Sequence, residues 1–257
     1  MKVHVYGGRS GGYIAAKEGY VAIIVDALRA SATLTSLLHF GAPEIEVVEQ
    51  VEEALAERAA RPGVPLFGER GGYQVEGFDY GNSPLQAPLD PMPIGIVFTS
   101  SNCSRCCIAA AAAPVTFLGT TVNASAVARL AHAEASARGT DICIITAGSA
   151  ENEERFVLED HLAAAVIIRR LQRLDAGVIP ATDGARAGLI VLDYYGKDDL
   201  ERAFLETDNG ARLSGTMPFE ADVRFAARVD VFDLAPRIAS VRELPGGGKA
   251  TRLVASQ

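Results

Sequence analysis

The chain has 257 residues, 49% of them apolar and 22% charged, with 25 glycines and 12 prolines. That is enough for one large domain or two small ones, and it excludes a disordered chain, a collagen-like repeat or a disulfide-dense mini-scaffold. Twenty-four basic against 32 acidic residues give a net charge of −8, which argues against a general nucleic-acid binder but allows a small anionic ligand if a cation, a few arginines or helix N-termini receive it.

The first twenty residues carry no apolar block of signal-peptide length, and Gly7-Gly8-Arg9-Ser10-Gly11-Gly12 shares only its glycine content with phosphate loops. Strands are expected at Val21–Val25, Ile45–Val48, Ile94–Phe98, Val115–Leu118 and Ile142–Thr146. Each is a short β-branched apolar run without polar alternation, as in a parallel sheet buried on both faces. Helical stretches fall between them, at Ser31–Phe40, Glu52–Ala60, Ser104–Ala113 and Ala124–Arg138, and a longer helix runs from about Phe156 to Leu174. This rhythm predicts a three-layer α/β/α architecture with a mostly parallel sheet over residues 1–175. From residue 176 to 257 a mainly helical C-terminal part is expected, packed on that core or continuous with it. Gly196, Gly210 and Gly215 are expected to end helices there, and Pro245-Gly-Gly-Gly to form a mobile end or a turn before a last short strand.

The longest near-unbroken apolar run, Cys106–Val115, is ten residues, mostly alanine and including Pro114; a membrane span needs about twenty. Three of the four cysteines crowd into Cys103–Cys107, a spacing that suits a reducing compartment and small buried side chains. No membrane association and a cytoplasmic location are expected. The Cys-x5-Arg spacing of cysteine-dependent phosphatases is absent, Cys103-x2-Cys106 has no second pair, and the histidines are scattered, so zinc is not expected.

Four polar turns follow predicted strands: Asp26–Ser31, Thr99–Arg105, Thr120–Ser125 and Thr146–Ser149. In a parallel sheet their strands would end at one edge, where open α/β folds bind ligands. Ser100, Ser101, Asn102, Asn123 and Ser125 are residue types that cap helices and equally suit phosphate oxygens. Asp26 at a strand exit, Glu69, Asp79 and the Glu159-Asp160 pair are hard oxygen donors suited to magnesium, although acids in a first helical turn are also expected from the helix dipole. Arg29, Arg70 and Arg105 each sit in a polar segment and could fork onto an anion or pair with a neighbouring acid, Arg70 with Asp26 or Asp79 for instance.

Five ordered segments resemble the 2-phosphosulfolactate phosphatase family: Val25-Asp26-Ala27-Leu28-Arg29-Ala30-Ser31, Gly68-Glu69-Arg70-Gly71, Gly77-Phe78-Asp79-Tyr80-Gly81-Asn82-Ser83-Pro84, Val122-Asn123-Ala124-Ser125-Ala126 and Leu158-Glu159-Asp160. The late stretch Asp222-Val223-Arg224-Phe225 belongs to the same resemblance, which spans roughly residues 1–235. It implies a magnesium-dependent phosphatase that converts (R)-2-phospho-3-sulfolactate to 3-sulfolactate and phosphate, a step of coenzyme M biosynthesis. In that reading Asp26, Asp79, Glu159 or Asp160 hold Mg2+, and Asp26, Glu69 and Arg29 carry the chemistry. Asn82, Ser83, Ser101, Asn102, Asn123 and Ser125 hold phosphate oxygens, and Arg70 and Arg105 neutralise the substrate's acid groups. Where the family typically has Thr-Thr-Asn-Gly-Thr, this chain has Ser100-Ser101-Asn102-Cys103-Ser104. A glycine with positive φ at that point would make Cys103 a strained residue, and this motivates a second reading, a phosphate-anion binding protein without turnover. The helical C-terminal part could supply an interface for self-association.

Overall fold

The computed structural model describes residues 1–149, 155–196 and 199–257. The chain opens with β1 (Lys2–Gly7), α1 (Gly8–Glu18), β2 (Val21–Val25), α2 (Ala30–His39), β3 (Ile45–Val48) and α3 (Val51–Ala60). It continues through β4 (Leu66–Arg70), β5 (Tyr73–Gln74), β6 (Ile96–Thr99), α4 (Cys103–Ala109), β7 (Val115–Leu118), α5 (Ala124–Arg138), β8 (Ile142–Thr146) and α6 (Leu158–Leu174). A two-residue strand, β9 (Ile179–Pro180), precedes the helices α7 (Asp183–Tyr195), α8 (Leu200–Glu206), α9 (Asp208–Ala211) and α10 (Glu220–Ala226). The chain closes with a hairpin, β10 (Ala235–Glu243) and β11 (Lys249–Ser256).

β2, β3, β7 and β8 occupy the expected residues, and β2, β7 and β8 are buried along their whole length. The fifth predicted strand starts later, because Ile94 lies between Pro93 and Gly95 and is 90% exposed. The helical C-terminal part is present over residues 183–226, and of the two outcomes expected for Pro245-Gly-Gly-Gly the turn before a last strand is the one found, the strand running to eight residues. Pro245–Gly248 turns a long hairpin whose strands enter the middle of the sheet, between β7 and β3.

That insertion sets the geometry of the molecule. The order is β5-β4-β6-β3-β11-β10-β7-β2-β8-β1-β9. β9, β1, β8, β2 and β7 run parallel to one another, as do β3, β6 and β4. Between the two blocks lie three antiparallel contacts, β7 with β10, β10 with β11, and β11 with β3. Three reversals leave the blocks running in opposite senses, so the uniformly parallel edge assumed from the sequence does not exist. The sheet instead curls around α2 and α4. Ala22, Ile24, Cys143 and Ile145 of one block and Ile45, Val47, Ile96 and Phe98 of the other belong to a single core with Leu34 and Leu37 of α2 and Cys103, Cys106 and Cys107 of α4. Accumulated strand twist permits this curl. The opposite face packs on α5, α6 and α7 through residues such as Val21, Ile23, Ile142, Leu162 and Leu189, which completes the three layers. Among the described residues no helix is long and apolar enough to cross a membrane.

The glycine-rich start of α1 serves packing. A Cβ on Gly12 would stand 2.8 Å from the Ala109 Cβ and from the Ala110 nitrogen, so α1 meets the end of α4 through a bare backbone. We expect Gly12→Val to lower unfolding free energy by about 1–3 kcal/mol through overpacking, measured by chemical denaturation; an unchanged midpoint would show that the two helices can separate freely.

Candidate active site

Curling brings the carboxyl ends of β2, β4, β6 and β8 to one opening, although β4 and β6 belong to the reversed block. The opening is a cavity of about 390 Å3 lined by Asp26, Leu28 and Arg29 after β2, by Glu69, Gly71 and Gly72 at the end of β4, by Asn82, by Ser101 and Asn102 after β6, and by Gly148 and Ser149 after β8. Arg155, from the segment before α6, and Asn209, Arg212 and Leu213 of the helical C-terminal part complete the lining.

Asp26 is buried, and its carboxylate accepts the Ala30 N–H at 3.1 Å and that of Cys103. Burial, with Glu69 and Glu159 adding like charge, pushes its carboxyl up to about 7. Glu69 is held from both sides: it accepts the Ser101 N–H at 2.7 Å, the Ser101 hydroxyl at 3.2 Å and the Gly72 N–H at 2.8 Å. Arg29 is buried against the Phe219 ring, its Cζ 4.1 Å from the centroid, and donates to Asp222 at 2.6 Å and to the Gly72 carbonyl. Asp222 also accepts the Ser83 hydroxyl at 2.6 Å. Ser83 and the late Asp222 stretch therefore act together, fixing Arg29 from behind; Ser83 itself does not line the cavity.

Several residues expected here do other work. Asp160 is buried with both oxygens occupied, accepting the Ala27 N–H at 2.8 Å and the Gly148 N–H at 3.2 Å. Glu159 accepts the Asn209 amide at 2.6 Å. Burial raises the carboxyl of each, most strongly at Asp160. They tie loops together behind the cavity wall and do not line it. Asp79 pairs with Arg58 and accepts the Leu66 N–H, so of the four expected metal ligands only Asp26 faces the cavity. Arg70 donates to the Glu49 carbonyl and Thr99, not to Asp26 or Asp79, and with Arg105 stands outside the lining.

The turn after β7 is also elsewhere. Residues 230–234 lie over it: the Asp230 N–H reaches the Thr121 carbonyl, the Phe232 N–H reaches that of Val122, Ser125 donates to Asp230, and the Asn123 amide donates to the carbonyls of Leu118 and Leu234. Asn123 and Ser125 hold this turn shut. Cys103 heads α4, is buried, and is not among the non-glycine residues with positive φ. Strain from a positive φ at Cys103 is therefore absent. Glu151, Glu153 and Glu154, which make the stretch between Ser149 and Arg155 acidic in the sequence, lie outside the described residues.

Sequence reasoning missed Arg212 and Asn209, which sit in a stretch with helical patterning where polar side chains read as a solvated face. Among the described residues no three His, Cys, Asp or Glu side chains are arranged to hold a metal ion. The cavity nonetheless fits a hard cation that keeps most of its water. Two carboxylates, Asp26 and Glu69, line it, and the side-chain oxygens of Asn82 and Asn102 are buried there without a hydrogen-bond partner. One or two carboxylates with neutral oxygens, water and substrate phosphate form the usual magnesium environment.

Buried acids, amide oxygens and arginines around one polar cavity at strand ends define an α/β enzyme that handles a small anion. The sequence profile described as 2-phosphosulpholactate phosphatase matches residues 13–240. A protein of Deinococcus radiodurans named "Probable 2-phosphosulfolactate phosphatase" is 36% identical over 229 residues, 88% of this chain and 91% of its own. Proteins of the same name from Caldanaerobacter subterraneus subsp. tengcongensis and Thermotoga petrophila are each 31% identical, over 84% and 87% of this chain and 86% and 91% of their own. The chain belongs to the 2-phosphosulpholactate phosphatase family and, with it, to the phosphoric monoester hydrolases.

Asp26 also yields a prediction about stability. Its carboxyl rises from an ordinary 3.8 to about 7 in the folded chain. Between those values the folded state binds more protons than the unfolded one, so its contribution turns unfavourable as pH rises through that window. Without added cation, Asp26→Asn is expected to be about 1–3 kcal/mol more stable than the unaltered protein at pH 8 and to lose this advantage near pH 4. Thermal melts across that range check it; a variant less stable at pH 8 would contradict the assigned burial cost.

Proposed function

We propose that the enzyme is a magnesium-assisted phosphatase that hydrolyses 2-phospho-3-sulfolactate, or a phosphorylated hydroxy acid of similar size and charge, to 3-sulfolactate and inorganic phosphate. The observation that carries this reading is the convergence of Asp26, Glu69, Asn82, Asn102 and Arg29 on one cavity. The names of the relatives support the substrate, and its chemistry agrees with the lining: a phosphate, a carboxylate and a sulfonate meet arginines and amides on an otherwise acidic chain.

Asp26, Glu69 and the side-chain oxygens of Asn82 and Asn102 are the residues that would hold magnesium. When bound, the ion supplies charge neutralisation to the phosphoryl group and the departing alkoxide. The protein's own contribution is positioning. Asn102 carries donors for phosphate oxygens at the end of β6, and Glu69 fixes the turn before it by accepting the N–H and hydroxyl of Ser101. Arg29, clamped by Asp222 and Phe219, presents a planar charge whose orientation is settled before substrate arrives. Asp26, held by two backbone N–H groups, faces the reacting phosphorus as the group able to take part in bond making or proton transfer near neutral pH. Acid-quench trapping of phosphate on Asp26 separates an aspartyl-phosphate route from direct attack by water.

With 2-phosphosulfolactate and magnesium, we expect phosphate release that stops in excess chelator and returns on adding the metal. Asp26→Asn should lower kcat by at least about 100-fold with no loss of thermal midpoint. Full activity in that variant, or release indifferent to chelation, would refute the roles given to Asp26 and the ion.

A further inference from the structure

We infer that Arg212 is the residue that recognises a non-transferred acid group of the substrate, its carboxylate or its sulfonate, and so restricts the enzyme to phosphomonoesters that carry one. The inference rests on the phosphatase reading and adds to it the element that selects among phosphate esters.

Three arginines line the cavity, and they are not equivalent. Arg29 is neutralised by Asp222 at 2.6 Å and buried with it. Arg155 is paired with Asp208 at 2.6 Å on the exposed rim. Among the described residues Arg212 makes no ion pair: its Nη1 donates to the Gly71 carbonyl at 3.0 Å and approaches the Met217 sulfur at 3.4 Å. Those contacts use one edge of the guanidinium and leave Nε and Nη2, the two-donor edge that matches a carboxylate or sulfonate. Among the described residues that charge is therefore uncompensated, and it is anchored at a cavity wall.

Its backbone is anchored as well. Thr207 Oγ1 caps the Gly210 N–H at 3.0 Å, and a Cβ on Gly210 would stand far inside contact distance of the Phe204 carbonyl, so the chain turns tightly just before Arg212. Asn209 is tied to Glu159 at 2.6 Å, and the neighbouring Asp160 holds the loops bearing Asp26 and Gly148. Arg212 thus stands at a defined place relative to the end where Asp26 and Asn102 receive phosphate, as a receptor for an acid group a few bonds away requires. A phosphomonoester without that group leaves this charge unanswered.

The test compares 2-phosphosulfolactate with ethyl phosphate, which lacks a second acid group. Arg212→Met is expected to reduce the ratio of the two kcat/KM values about 100-fold, mostly through KM for the acidic substrate, with Arg212→Lys intermediate because it keeps charge but loses the fork. An unchanged ratio would overturn the inference, whether both rates fall together, as for a purely structural bond to Gly71, or neither falls. Calorimetric binding of 3-sulfolactate needs no turnover: Arg212→Met should weaken it about 100-fold, and equal binding would overturn the inference. Should the unaltered enzyme release phosphate from neither ester, the phosphatase reading fails, while the binding comparison still decides the role of Arg212.

Discussion

Two adjacent carboxylates at the start of α6 hold the working part of this molecule together. Asp160 receives one backbone N–H from the loop after β2 and another from the loop after β8, while Glu159 receives the amide of Asn209 from the helical C-terminal part. These are charge-assisted bonds inside the protein, where an unmet acceptor is costly. Burial raises the carboxyls of both residues and of Asp26, so the cluster tolerates its own negative charge only because backbone and amide donors surround it. The same concentration of acid makes the cavity beside it a natural place for a cation.

The sheet's reversal is the second constraint. A uniformly parallel sheet would put all strand exits along one edge; here the C-terminal hairpin inverts β3, β6 and β4 relative to β2 and β8. Curling around α2 and α4 then turns the two sets of exits toward each other across the cavity. Residues from both blocks share a core with those helices, so forming the core and assembling the site are one event. The last strands of the chain are central to the sheet although they contribute no side chain to the cavity lining.

Much of this was legible in the sequence, for identifiable reasons. β2, β7 and β8 are buried on both faces, so their apolar runs carry clean signals, and α5 begins and ends at the expected residues. β4, Leu66-Phe67-Gly68-Glu69-Arg70, breaks its apolar pattern with a glycine and two charges, and β10 leaves most of its length partly or fully exposed. Neither resembles a buried strand locally. Asp26, Arg29, Glu69, Asn82, Ser101 and Asn102 were found because they follow strands as polar turns or sit in ordered motifs. Asn123 and Ser125 obey the same rule and yet serve to hold a turn under residues 230–234, a contact more than a hundred residues distant in sequence. Arg212 carries no such signal, since only tertiary folding places its helical turn over the mouth of the cavity.

The most direct test of the convergence is a crystal structure of the protein soaked with magnesium and inorganic phosphate. The ion bound against Asp26, Glu69 and the side-chain oxygens of Asn82 and Asn102, with phosphate beside it in this cavity, is the expected result. Phosphate and ion bound at the Thr121–Asn123 turn, or on the far side of the sheet with this cavity left to solvent, would contradict it.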